Sequence, residues 1–303
     1  VSLSPTKPCD IRYYNRKGTR LLRRSAEVLA FETTENPKRW RKDFQIIVKS
    51  FLRWQCLERF VNSVRRWYPD VEILVADDSF QTIPDPLPEP MRRVMQTPGV
   101  RWHQLNYDVG LAAARNYLVR QATAETIVLC DDDYVLTEES QVHRLVELLE
   151  AEPEIDIASG LMRMDSHHVQ SWHGRFRFSQ PNASGRREVS MKPLGSDWKR
   201  HGDLWYRKTD LTWNFFAARR ETLLQHPWDD ECKIGGEHIE SFLAWHKAGL
   251  EIVETPQVIG GHLPEKPQQY AEMRRRTRPY TKHVIDKWKL TSPLKMGASN
   301  VPA

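Results

Sequence analysis

The sequence predicts an α/β fold: a mostly parallel central sheet with helices on both faces, in one domain of two fused halves. Three observations carry this expectation. Short apolar, β-branched runs alternate with stretches of helical periodicity about ten to fifteen residues long, the pattern of βαβ units. Two of those runs stop abruptly in acid, at Asp77-Asp78 and at Asp131-Asp132-Asp133. Breakers fall where helices should stop, as at Pro69 and Gly249.

The elements follow in order. Residues 1–42 are basic and mixed, with many positive charges between Arg16 and Arg24, and read as an N-terminal basic arm. Residues 44–51 (FQIIVKSF) read as a strand, and 54–67 as a helix with Leu57, Phe60, Val61 and Val64 on one face. Residues 71–78 (VEILVADD) form the second expected strand, 81–90 a Pro-rich loop and 100–105 the third strand. Residues 110–122 (GLAAARNYLVRQA) are helical, with small residues on the early face. The run 126–133 (TIVLCDDD) is the central strand, followed by a helix at 139–152 and a strand at 155–164. A continuous apolar run of this kind is buried on both faces, so its acids can sit only at its end.

After about residue 165 the rhythm changes. An aromatic and basic stretch (His167, His168, Trp172, His173, Arg175, Arg177) reads as extended, and 180–202 as a long functional loop. Residues 211–218 (LTWNFFAA) read as a strand, 221–225 as a short helix closed by Pro227, and 237–247 as a helix. Residues 250–259 form a strand running into Gly260-Gly261-His262. The tail holds Arg274, Arg275, Arg276 and Arg278, then a helix through Trp288. The organisation expected is a basic arm (1–42), a first half (43–165), a second half (166–265) and a basic C-terminal tail (266–303).

Bulk properties narrow the class. The 303 residues are 40% hydrophobic and 28% charged, as in a soluble protein. A net charge of +5 and a pI near 9.0 suit polyanionic partners or an anionic surface without choosing between them. The four cysteines (Cys9, Cys56, Cys130, Cys232) make no CxxC pair, so neither a zinc framework nor a disulfide scaffold is expected. No apolar run approaches the ~18 residues of a membrane span, and no signal peptide is visible. The chain starts with Val, which leaves room for an upstream anchor. Membrane association is expected only through a segment absent from this chain.

The acid-ended strands point to chemistry. Three adjacent carboxylates repel one another and call for a cation. All-oxygen ligation at a strand end suits Mn2+ or Mg2+, commonly with a diphosphate. The plainer reading is a solvated acidic loop or helix cap, since Glu138 and Glu139 follow. In open α/β sheets ligands bind beyond the carboxyl ends of the strands, which puts both acid groups on one crevice rim.

Six segments in order, KSFLRWQCLERFVNSVRRWYP, VADDS, GLAAARNYLV, VLCDDDYVLT, WNFFAARRETL and GGEHIESFL, resemble the GT-A fold nucleotide-sugar glycosyltransferases. Most closely they resemble the ganglioside-type β1,4-N-acetylgalactosaminyltransferases, over residues 44–262. The resemblance implies an inverting, metal-dependent transfer of a sugar from a UDP-sugar, most of all UDP-N-acetylhexosamine, to a hydroxyl of a glycan or glycoconjugate. Residues 43–165 would then be the nucleotide-sugar half and 166–265 the acceptor and catalytic half. It implies Asp78 for the uracil ring, Arg115 for the nucleotide or its phosphates, and Asp131 near the ribose, with Asp132 on the same donor side. Asp133 and His262 would ligate the metal. Trp213 and Asn214, with Phe215 and Phe216, would face the acceptor, and Trp172 and Trp245 are further ring candidates. For a eukaryotic chain with a removed anchor the expected place is the Golgi lumen, and otherwise the cytoplasm.

An inverting transfer needs a base for the acceptor hydroxyl. Glu240 is the base expected first, then Glu237, with His238 third and Asp229 and Asp230 as nearby alternatives in a turn; Glu237 and Glu240 share a helix face. Related enzymes read GEHEDFF at this point, with the second acid of the Glu-Asp pair as base, which aligns Glu240 with it. Acids in a first helical turn also serve simply as dipole partners. Three rival classes stay open. A nucleotidyltransferase also uses strand-end carboxylates, but the chain lacks a Gly-rich phosphate loop with its Lys. A non-catalytic nucleic-acid binder would suit the basic tail, but the charges are scattered and nucleic acid is not an expected partner. A lectin-like member would bind sugar without transferring it, and the intact DDD and GGEHIE stretches speak against that decay.

Overall fold

The computed structural model describes residues 43–165, 168–172, 174–294 and 299–302. The expected basic arm, Cys9, His167 and His173 lie outside the described residues. The first half runs β1 (Gln45–Ser50), α1 (Trp54–Trp67), β2 (Glu72–Asp77), α2 (Glu89–Met95), β3 (Val100–Gln104), α3 (Leu111–Gln121), β4 (Thr126–Asp131), β5 (Tyr134–Val135), α4 (His143–Ala151) and β6 (Ile157–Arg163). The second half runs β7 (His168–Ser171), β8 (Arg175–Phe178), β9 (Val189–Lys192), β10 (Lys199–His201), β11 (Leu204–Thr209), β12 (Phe216–Arg219), α5 (Arg220–Gln225), α6 (Glu237–Ala248) and β13 (Ile252–His262). The tail carries α7 (Gln268–Arg274), a 3-10 turn, α8 (Arg278–Lys287) and β14 (Ser299–Pro302).

The main sheet runs β10-β11-β13-β6-β12-β4-β1-β2-β3. β3, β2, β1 and β4 are parallel to one another, as are β6 and β13, while β12 is inserted antiparallel between β4 and β6. Alternate residues of the central strands feed two separate cores. Ile46, Val48, Val128 and Cys130 pack with α1 and α4, whereas Ile47, Ile127 and Leu129 pack with α3 and α6. That two-sided burial explains why β1 and β4 read as unbroken apolar runs.

Two expectations need correction. Residues 180–202 are not one long loop, because β9 pairs β8 and β10 pairs β11 within or against them. The strand expected at 211–218 is replaced by β11 before it and the shorter β12, which begins only at Phe216. The expected Pro-rich loop holds over residues 81–88, and α2 follows it with a proline in its first turn where the missing N–H costs nothing. The helix expected in the tail is present as α8, and it packs on α6.

Candidate active site

The strand β4 delivers Asp131 at its end, and a tight turn presents Asp132 and Asp133 before β5 begins. β5 then pairs antiparallel with the end of β13, setting His262 opposite Tyr134. The Leu263 N–H donates to the Asp133 carbonyl at 2.9 Å, which closes this corner. The ladder therefore brings His262 Nε2 to 3.4 Å from Asp133 Oδ2. The Tyr134 ring stands edge-on to the imidazole at 5.7 Å.

Two arginines answer the acids. Arg53, between β1 and α1, forks onto the cluster: one arm donates to Asp132 Oδ1 and the other to Asp133 Oδ2 at 2.6 Å. Ser50 Oγ donates to the second Asp132 oxygen at 3.1 Å. Arg115, almost wholly buried on α3, donates to Asp131 Oδ1 at 2.8 Å and lies 3.6 Å from Glu237 Oε1. Burial drives the Asp132 carboxyl up to about 7, with Arg53 opposing. Asp133 is buried too, but the bond to His262 and the Arg53 charge pull it down to about 2.

A second wall faces the cluster from α6 and the β11–β12 connection. Asn214 Nδ2 donates to Asp131 Oδ2 at 3.4 Å, and its carbonyl oxygen lies 3.0 Å from His238 Nδ1. The Thr212 backbone also lies against the buried imidazole, and His238 Nε2 meets no hydrogen-bond partner among the described residues. Burial, reinforced by the Arg115 charge, drops the His238 imidazole to about 3. Trp172 stacks on Trp213 at 4.1 Å, stands edge-on to His238 at 4.9 Å, and Trp213 reaches His262 at 5.8 Å. Trp245, the third expected ring, does not join them. It is core, packed against Trp228, Phe216 and Phe242.

The three base candidates part company along α6. Glu237 and His238 face the acid cluster through Arg115 and Asn214. Glu240, although near Glu237 in sequence, pairs with Lys287 Nζ of α8 at 2.7 Å. The same ammonium donates to Asp229 Oδ2 at 2.6 Å, and His283 Nε2 lies 2.8 Å from that oxygen. Asp229, Cys232 and His283 come within 4.8 Å of one another. Lys287 already supplies positive charge there, and burial, followed by the Asp229 and Glu240 charges, pushes the Cys232 thiol up to about 12.

Asp78 lies deep at the end of β2. Its Oδ2 accepts the Gly110 N–H at 3.0 Å, and Lys49 Nζ of β1 sits 2.7 Å from Oδ1. Gly110 holds φ +97°, and a Cβ there would stand 2.5 Å from Lys233 Cα, so only glycine fits between Asp78 and that strand of chain. Asp78 is fully buried, behind Lys49 and Gly110, which line the cleft.

Sequence reasoning missed Arg53, Lys49, Tyr270 and Lys287. Lys49 left a signal, a charge inside an otherwise apolar strand, which burial permits only with a partner. Arg53 left a fainter one, at the C-terminal end of a parallel strand. Tyr270 and Lys287 come from the tail, and nothing local marks them. The cleft between Lys49, Arg53, Asp132, Gly110, Tyr270 and Arg274 measures about 30 Å³.

The glycosyl transferase family 2 model matches residues 45–224, well over half the chain. The chain belongs to glycosyl transferase family 2. It is similar to the beta-1,4 N-acetylgalactosaminyltransferase 1 of Mus musculus and of Homo sapiens, each 30% identical over 198 residues, 65% of this chain and 35% of the relative. The match thus spans about a third of the length of those relatives. The Mus musculus beta-1,4 N-acetylgalactosaminyltransferase 2 is 29% identical over 125 residues, 41% of this chain and 22% of that protein. Two solved structures share the fold. A mannosyltransferase from Pyrobaculum calidifontis in complex with GDP-Man and Mn2+ gives a TM-score of 0.53 at 18% identity, covering 84% of this chain and 67% of that one. GalNAc-T7 with UDP, GalNAc and Mn2+ gives 0.52 at 17% identity, covering 82% and 55%. These neighbours have the GT-A architecture that the resemblance of the six segments implies.

The donor set fits a divalent ion. A carboxylate oxygen and an imidazole nitrogen 3.4 Å apart are near the separation of adjacent ligands around one ion, about 3 Å for metal–ligand bonds of ~2.1 Å. His262 Nδ1 makes no hydrogen bond among the described residues, so no such bond ties the ring elsewhere.

Proposed function

We propose that this chain is an inverting, metal-dependent glycosyltransferase that moves a sugar, N-acetylhexosamine in the first instance, from a UDP-sugar to a glycan or glycoconjugate hydroxyl. The observation that carries the reading is the meeting of Asp133 with His262 at the strand ends of a family 2 chain. Asp133 and His262 hold Mn2+ or Mg2+, which when bound supplies Lewis-acid stabilisation to the departing diphosphate. Arg115 orients Asp131 toward the donor ribose, and Asp132 lines the donor side beside it. Asp78 fixes the cleft wall under the base by clamping Lys49 and Gly110. Residues 43–165 supply the donor half and 166–265 the acceptor half, to which Tyr270 and Arg274 of the tail add a wall of the donor cleft.

On the acceptor side, Trp172 and Trp213 offer a stacked aromatic surface, and Asn214 ties it to Asp131 and His238. Glu237 is the base we favour, because it is the carboxylate of α6 that faces the cluster. His238 is the second candidate, its Nε2 without a hydrogen-bond partner among the described residues, while Glu240 would first have to leave Lys287. The similarity to N-acetylgalactosaminyltransferases supports the choice of sugar.

A thermal-shift panel of UDP-, GDP- and CMP-sugars with and without Mn2+ tests the reading. Ligands that bind only the folded form raise its stability. A shift with UDP-N-acetylhexosamine that requires Mn2+ is expected. Stabilisation by no UDP compound under either condition contradicts the proposal.

A further inference from the structure

The oxygen of Asp133 that faces His262 is also the oxygen that Arg53 binds. Nη1 of Arg53 sits 2.6 Å from Asp133 Oδ2, and His262 Nε2 lies 3.4 Å from the same atom. The other arm of the fork holds Asp132. A guanidinium therefore stands at the point where the proposed ion would be ligated. The Tyr270 ring of α7 lies against that guanidinium, its centroid 4.4 Å from the Arg53 Cζ. Together they leave a cleft of about 30 Å³, room for roughly one or two waters. Arg53 and Tyr270 thus narrow the cleft on the side of the carboxylates.

We propose that Arg53 is the resident counter-ion of the metal site, holding Asp132 and Asp133 in the metal-free protein and turning onto the donor diphosphate when ion and nucleotide load. The proposal rests on the donor and metal reading given above. Two adjacent buried carboxylates need a positive charge at all times, and a forked donor satisfies both at once. An entering divalent ion takes over the carboxylates and sets the guanidinium free. Diphosphate oxygens are the natural next partners for it, within a cleft that Lys49 and Arg274 also line. Loading of ion and nucleotide is therefore coupled through this one side chain, and the coupling is reciprocal. Ion alone must compete with Arg53, whereas ion with nucleotide gives Arg53 somewhere to go.

The test is Mn2+ binding to the full chain, followed by the electron paramagnetic resonance of free Mn2+, with and without saturating UDP. Wild type, Arg53→Met and Arg53→Gln are compared, with unfolding midpoints recorded for each. Wild type binds Mn2+ weakly alone and at least about tenfold more tightly with UDP, within the usual range of coupling between sites. Both variants bind Mn2+ alone about five- to tenfold more tightly than wild type, and their gain from UDP shrinks accordingly. If one variant fails to fold, the other carries the comparison, and Tyr270→Ala, which removes the ring lying against Arg53, must shift Mn2+ affinity in the same direction. Unchanged or weaker Mn2+ binding in the folded variants overturns the role of Arg53. Wild type that binds neither Mn2+ nor UDP instead overturns the reading of the site itself.

Discussion

His262 Nε2 and Asp133 Oδ2 approach to 3.4 Å because two short strands pair, not because the residues are close in sequence. The antiparallel β5–β13 contact is short, and the Leu263 N–H to Asp133 carbonyl bond locks it. Loss of either side chain should leave that backbone corner intact. We expect Asp133→Asn and His262→Ala each to weaken Mn2+ binding in the presence of UDP by on the order of 100-fold, with the fold retained, although Asp133→Asn also loosens the pair with Arg53. Titration calorimetry checks this. Retained affinity in both variants would remove these residues from the metal site.

Glu237 and Glu240 should separate kinetically. Replacing a general base costs about 10²- to 10⁴-fold in turnover. We expect Glu237→Gln to lose kcat on that scale with the donor KM little changed. Glu240→Gln should instead lower the unfolding midpoint, because it breaks the Lys287 pair between α6 and α8. A His238→Gln variant that alone loses turnover would move the base to His238.

His238 also makes stability depend on pH. Its folded-state pKa lies near 3 against an ordinary 6.5, because of burial and then the Arg115 charge. The unfolded chain therefore takes up a proton below about pH 6.5 that the folded chain refuses until about pH 3. Stability is fully present above that window and falls as pH drops through it, by about 1.4 kcal/mol per unit and on the order of 4–5 kcal/mol in all. Urea unfolding of wild type and His238→Gln at pH 7 and pH 5 checks this. The variant should show the smaller loss between the two, and equal losses would contradict the assignment.

Asp78 and Lys49 form a buried pair, so breaking it from one side leaves an unpaired charge. We expect Asp78→Asn to cost about 3–5 kcal/mol of stability, with Lys49 stranded beside Gly110. Denaturant unfolding measures it directly. A cost below about 1 kcal/mol, the worth of an exposed pair, would mean that water reaches Lys49.

How much of this was legible depends on which forces shape each element. The central strands carry their own signature, because two-sided burial demands unbroken apolar runs, and β1, β2 and β4 lie where that pattern puts them. Asp133 and His262 were legible through strand ends and resemblance, and their meeting depended on a ladder of two residue pairs that leaves no pattern in the sequence. Strands β9 to β11 were not legible. They are short, β10 consists of Lys, Arg and His alone, and β11 follows its apolar residues with Arg and Lys, so pairing rather than periodicity defines them. Helix α2 hid behind its own proline, which marks a first turn as readily as a loop. Arg53 and Tyr270 could not be joined on the page, since their contact depends on how α7 packs back over the strand ends.

The most direct measurement is a crystal of the chain grown with Mn2+ and UDP, with anomalous differences collected at the manganese edge. The account predicts one strong peak within about 2.3 Å of both Asp133 Oδ2 and His262 Nε2, with Arg53 turned away from Asp133. Bound manganese coordinated by neither residue, at Asp229, Cys232 and His283 for example, would contradict it.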